Sequence, residues 1–180
     1  MSHTISTEAL AAILGNDNVR VLDCSVSMGR QPGDDYRVGF LKSHIKGAQL
    51  LDLDNLKDQR SDLPFMMPNE NQFIDAMKRL NVKMTDHVVC YDTGAMQFFG
   101  YRAAWMFQAM GHPNVCVLDG GFPKWTKEGR AVEATDAGAN AGAFGYKLDA
   151  NKIKLLDHMK AFAGNEAERN YQLLDVRAPD

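Results

Sequence analysis

No apolar run in this sequence is long enough to cross a bilayer, so the chain offers no candidate membrane span. Positive charge is not in excess either. Twenty Lys and Arg stand against 23 Asp and Glu, a formal net charge of −3, which leaves no basic field to draw nucleic acid or an anionic membrane. Cysteine is scarce: Cys24, Cys90 and Cys116 are an odd number without C-x-x-C spacing, which argues against a disulfide framework or a zinc site. The five histidines are scattered and none pairs at ligand spacing, so neither metal nor cofactor is expected. No G-x-G-x-x-G follows an apolar run, which disfavours a Rossmann-type nucleotide enzyme. The opening MSHTISTEALAAIL lacks the positive-then-apolar order of a secretory signal and the arginine bias of a transit peptide. The expectation is a cytoplasmic or mitochondrial protein, not a secreted one.

What the sequence does contain is a set of short apolar runs that end in acidic or glycine residues. Residues 19–24 (VRVLDC), 48–53 (AQLLDL), 87–92 (HVVCYD) and 115–119 (VCVLD) show little alternation, as strands buried on both faces do. Helical patterns separate them. Asn69 with Gln72 forms a capping-box pair ahead of a stripe of Phe73, Ile74, Met77 and Leu80. Residues 97–110 (QFFGYRAAWMFQAM) are apolar on most sides, the pattern of a helix covered by several neighbours. Strands alternating with helices predict an α/β fold, an open and mainly parallel sheet flanked by helices on both faces.

The organisation expected is one domain over residues 1–135, a linker over 136–150 built on the Ala/Gly-rich DAGANAGAF, and a restart over 151–180. In the restart a second amphipathic helix over 151–162 leads to a strand over 171–176 (YQLLDV). Its Leu174-Asp175 repeats Leu22-Asp23, and this remainder is too short to close a core of its own. Residues 30–37 (RQPGDDYR) read as a solvated Pro-Gly turn without chemistry.

Three ordered motifs point to one family. Phe40-Leu41-Lys42-Ser43-His44-Ile45-Lys46-Gly47-Ala48 resembles the first rhodanese signature, aromatic before His-Ile-Pro-Gly-Ala, with Lys46 where the family has proline. Val117-Leu118-Asp119-Gly120-Gly121-Phe122-Pro123-Lys124-Trp125 resembles the second, Asp/Asn-Gly-Gly-aromatic followed by tryptophan. Tyr91-Asp92-Thr93-Gly94, continuing to Arg102 and Trp105-Met106, is similar to the active-site loop and following helix of the first domain in two-domain members.

The resemblance implies a sulfurtransferase of the thiosulfate or 3-mercaptopyruvate type, and a non-catalytic half of it. In sulfur-transferring rhodanese domains a cysteine ends the strand where this chain has Asp92, and inward N–H groups of the following loop stabilise its persulfide. Asp92, Thr93, Gly94, Ala95, Met96 and Gln97 then form a degenerate loop with Asp92 as its cap. No residue of the chain is assigned a catalytic role. An aspartyl-phosphate role lacks an accompanying second acid, and a rhodanese-related phosphatase needs a cysteine, five residues and an arginine, which this loop does not contain. Cys90 and Cys116 read as core filler, whereas Cys24, ending its strand on the carboxyl edge, is the best candidate for a reactive thiol. His44, Gly47, Asp119, Gly120, Gly121 and Trp125 are expected to be structural, His44 by hydrogen-bonding its turn. Phe98, Phe99, Tyr101, Arg102 and Arg177 are the expected contacts to a second rhodanese domain, supplied in cis or in trans. The alternative reading is a stand-alone pseudo-enzyme acting as an interaction or scaffold module.

Overall fold

A strand that sends successive side chains to opposite faces must be covered on both faces when both sets are apolar. Strand β5 (His87–Tyr91) does this, with Val88 and Cys90 in one core and Val89 and Tyr91 in the other. The computed structural model describes residues 3–27, 35–134, 145–164 and 172–175. It divides into two units, Met1–Leu148 and Asp149–Asp180.

In the first unit, β1 (Thr4–Ile5), β2 (Val19–Asp23), β4 (Gln49–Leu50), β5 and β6 (Val115–Leu118) form one sheet in the order β1-β6-β5-β2-β4, every pair parallel. Helices α3 (Glu70–Arg79) and α4 (Phe98–Ala109) supply Phe73, Met77, Met106 and Phe107 to one core. Helices α1 (Thr7–Ile13), α2 (Tyr36–Lys42) and α5 (Gly121–Lys127) supply Leu10, Phe40 and Trp125 to the other. The mainly parallel α/β sheet read from the sequence is the observed fold. A small antiparallel pair, β3 (His44–Ile45) with β7 (Val132–Glu133), lies beside it.

The capping box at Asn69 is present: Gln72 N–H donates to the Asn69 side chain and Asn69 N–H donates to the Gln72 side chain. The strand expected over residues 48–53 pairs only at Gln49–Leu50. The remaining leucines are apolar because Leu51, Leu53 and Leu56 turn into the core, while Asp52 holds the turn by accepting from Asn55 N–H and Nδ2.

The described part of the expected linker is tied down. Tyr146 is buried against Phe73 and His112, and its hydroxyl donates to the Val82 carbonyl at 3.1 Å. Lys147 N–H donates to Met110 O, and Leu148 N–H to Glu70 Oε1. One aromatic ring entering the core thus outweighs the polar, small-residue composition around it. Residues 135–144 and the loop at 28–34 lie outside the described residues.

In the second unit the helix expected over 151–162 is instead a 3-10 turn at Ala150–Lys152 followed, after a break, by α6 (Leu156–Gly164). His158 Nδ1 accepts from Leu155 N–H at the start of α6. Of the strand expected over residues 171–176, the described residues 172–175 are not in a strand.

Tyr146→Ala should lower the unfolding free energy by about 3–4 kcal/mol in a urea titration, the cost of emptying a buried aromatic site. Burial holds the imidazole of His112 below its ordinary value. Its neutral form therefore stabilises the fold fully above about pH 6.5, and this contribution is lost as pH falls through the lowered folded value. Urea titrations at pH 7 and pH 5 should show a larger loss for the unchanged chain than for His112→Gln.

Candidate functional site

From β2 the chain returns to the sheet as β4 on one side, and from β5 it returns as β6 on the other. The carboxyl ends of β2 and β5 thus flank a topological switch point, the place where open α/β sheets form a crevice. A cleft of about 360 Å³ opens there, lined by Ser25, Val26 and residues 92–99.

Asp92 fills the centre of the loop that follows β5. Its Oδ1 accepts from Gly94 N–H at 2.7 Å, and its Oδ2 accepts from the N–H groups of Phe99 and Gly100, both at 2.9 Å. Two of these donors belong to the first turn of α4, where backbone N–H groups have no partner within the helix. The loop and helix start thus form an anion cradle, and the chain's own carboxylate occupies it. Burial pushes the Asp92 carboxyl above its ordinary value, while the three N–H groups pull it the other way.

Gln97 closes the loop. It adopts the left-handed conformation at φ 53°, and its side-chain oxygen accepts from Asp92 N–H at 3.1 Å. Its Nε2 donates to Asp92 O and to Gly94 O. The second glycine motif packs directly on this buckle. A Cβ on Gly121 would stand 2.0 Å from the Gln97 amide, so only glycine lets α5 begin so close. Phe122 N–H then donates to Asp92 O. Asp119 is mostly exposed and pairs with Lys124 at 2.7 Å, and Gly120 turns at φ +73°. Trp125 is buried and donates to Ala131 O.

On the β2 side, Thr93 N–H donates to Ser25 Oγ at 3.1 Å. Ser25 N–H donates to Asp23 Oδ1, and the Tyr91 hydroxyl hydrogen-bonds the same carboxylate. Burial raises the Asp23 carboxyl. In the sequence Asp23 stands out only as half of a repeated Leu-Asp pair, and no motif marks Ser25. The available signal was a buried-strand pattern ending in a polar pair at a carboxyl edge.

None of the thiols reaches the cleft. Cys24, the expected reactive candidate, is fully buried, and burial beside Cys90 pushes its thiol well above the ordinary range. The strand ends one residue earlier, at Asp23, and Cys24 N–H bonds Tyr91 O, so the side chain turns into the core beneath α4 instead of toward the edge. Cys90 is equally buried. Cys116 sits 3.3 Å from His87 Nε2, and burial pushes it up to about 12.

His44 is not in the cleft. Its Nδ1 donates to Phe40 O at 2.6 Å, its ring stacks on Phe40, and Nε2 lies 3.6 Å from Glu133 Oε1. Gly47, at φ +75°, donates its N–H to the same Glu133 oxygen. This motif joins β3 to β7 instead of serving the loop.

Among the residues expected at an interface, Phe98 and Tyr101 are exposed, at 67% and 49%, as is the loop residue Met96 at 68%. Phe99 is half-buried against Phe65. Arg102, expected as an interface contact, is committed within the unit. Its Nη2 donates to Phe65 O, and its guanidinium lies 4.6 Å over the Trp105 ring. The apolar stem and planar head of arginine favour such a half-buried site. Arg177 lies outside the described residues. Among the described residues no cluster of three His, Cys, Asp or Glu side chains is arranged to hold a metal. Among them also, no helix is long and apolar enough to cross a membrane.

The family model for the rhodanese-like domain matches residues 6–128. The thiosulfate sulfurtransferase of Gallus gallus is 36% identical over 172 residues, which are 95% of this chain and 58% of that protein. A protein of Arabidopsis thaliana named thiosulfate/3-mercaptopyruvate sulfurtransferase 1, mitochondrial, is 37% identical over 97% of this chain and 50% of its own length. The crystal structure of SseA from Escherichia coli, described as a 3-mercaptopyruvate sulfotransferase with the rhodanese fold, superimposes with a TM-score of 0.84 at 25% identity. That match covers 91% of this chain and 62% of SseA. The chain therefore spans little more than half the length of these relatives.

Asp92→Asn keeps the shape but replaces one acceptor oxygen with a donor that faces N–H groups. It should cost about 2–3 kcal/mol in thermal or urea unfolding, the penalty of leaving buried donors unmet. Unchanged stability would mean that the cradle does not hold the loop. In the native state all three cysteines should react with a thiol reagent only as slowly as the fold opens.

Proposed function

This chain belongs to the rhodanese-like domain family, and on that premise we propose that it is the non-catalytic half of a tandem sulfurtransferase. The whole protein would move sulfane sulfur from thiosulfate or 3-mercaptopyruvate to a thiophilic acceptor, cyanide or a thiol. The observation that carries the reading is the Asp92 carboxylate seated in the cradle of Gly94, Phe99 and Gly100 N–H groups. Sulfur transfer needs a thiolate that attacks a sulfur and keeps it as a persulfide. A carboxylate oxygen forms no such adduct, and it also occupies the positive pocket in which a persulfide would be stabilised. The buried, raised thiols of Cys24 and Cys116 offer no substitute.

In this reading the half contributes shape. A rigid loop, locked by Gln97 and Gly121, presents Met96, Phe98 and Tyr101 as an apolar face for a second rhodanese domain, in cis or in trans. Such exposed apolar side chains grouped at one helix start are the usual mark of a surface that is covered in the working protein. A cytoplasmic or mitochondrial location fits both the sequence and the naming of a mitochondrial relative.

Given thiosulfate or 3-mercaptopyruvate together with cyanide, the chain alone should form thiocyanate at the background rate. Its mass should be unchanged after donor treatment. A persulfide on the purified chain, lost on Cys24→Ser, would overturn the proposal. Asp92→Cys should raise turnover little, because Thr93, Ala95 and Met96 bring no cationic group to the donor. Robust turnover by that variant would show that the loop alone suffices.

A further inference from the structure

We infer that Arg102 is a positioning residue: through its bond to the Phe65 carbonyl it pins a surface loop, residues 58–66, onto α4 and so fixes the edge of the exposed apolar face. The loop has its own neck, Asp58 N–H donating to Met66 O at 3.2 Å, and its internal bonds are short-range ones among Asp58, Arg60, Ser61 and Leu63. A closed surface loop of this size holds its shape by its own side chains but needs an external contact to fix its direction.

Gln59 bonds the carbonyl of Asn55 next to the neck, and the two contacts that Phe65 makes beyond the loop both come from α4. The Arg102 guanidinium donates to Phe65 O, and the Phe65 ring packs on Phe99 at 5.5 Å between centroids. By helical spacing Phe98, Tyr101, Arg102 and Trp105 share one face of α4, with Phe99 on its shoulder. Phe65 is therefore held against that shoulder and continues the apolar face sideways.

Phe65 sits at φ +54°, a conformation that a bulky side chain rarely adopts, so the loop needs something to hold it there. Arg102 is suited to that task. Among the described residues no carboxylate lies within ion-pair distance of it, and its half-buried charge is met by the Phe65 carbonyl and the Trp105 indole face. A guanidinium so placed has already given up part of its hydration and is left without an acceptor if the carbonyl leaves, which favours the pinned loop.

The use of this edge for docking rests on the reading above, whereas the clamp is a property of this chain alone, so the two fail separately. The test is hydrogen exchange on the complete chain with Arg102→Met and Arg102→Lys. Methionine keeps a stem to pack on Trp105 but has no donor; lysine keeps the charge and a donor. Exchange of the Asp58, Ser61 and Leu63 amides, which are hydrogen-bonded within the loop, should rise roughly tenfold or more in the Met variant, the loss expected for one charge-assisted hydrogen bond. It should rise clearly less in the Lys variant, with β5 amides unaffected in both. Equal exchange in the Met variant and the unchanged chain overturns the clamp, as does equal loosening by Met and Lys. Should Arg102→Met not fold, the unchanged chain decides. Labelled with 15N-arginine, it should give a resolved, slowly exchanging Arg102 Nη–H signal with contacts to Phe65, and the absence of that signal overturns the inference.

Discussion

Three backbone N–H groups converge on the Asp92 carboxylate, and the order of the whole carboxyl edge depends on that convergence. The donors come from the loop itself and from the first turn of α4. Satisfying them therefore fixes the direction in which α4 leaves the sheet. Asp92 O in turn receives Phe122 N–H and the Gln97 amide, which brings in the start of α5. One residue thereby ties a strand to helices on both faces of the sheet. Removing the carboxylate group altogether leaves all three donors unmet at once, a larger penalty than the loss of any single bond.

The cleft that this geometry forms is lined by no cysteine. One donor from the loop and two from the helix start suit an anion, and here all three are met by the Asp92 carboxylate. The three cysteines lie in or beside the strands, where apolar neighbours exclude the water that would stabilise a thiolate. The loop thus keeps an anion cradle as architecture without a thiol in it.

The two glycine motifs serve different ends of the fold. Gly120-Gly121 allows α5 to start against the Gln97 buckle, so this motif supports the loop even though it follows a different strand. The His44–Gly47 turn is fastened to Glu133 and stitches the small antiparallel pair. Arg102 likewise does local work, since its guanidinium is used on Phe65 and Trp105. Spacing alone could not separate an interface arginine from a clamp, because the partner is a backbone carbonyl 37 residues away, and a carbonyl leaves no side-chain signature.

The sequence by itself determined the parallel α/β sheet, through apolar runs that do not alternate. It also determined the capping box at Asn69 and the carboxylate that follows β5 at Asp92, because each is written in residue type at short range. Tertiary structure decided what depends on distant neighbours: that Cys24 faces the core, that Tyr146 belongs to the first unit, and that residues 49–50 alone pair while Leu51, Leu53 and Leu56 turn inward. The physical reason is range. Periodicity and caps act within a few residues, whereas burial, pKa shift and the partner of a buried donor are set by chain segments that meet only when the sheet has formed.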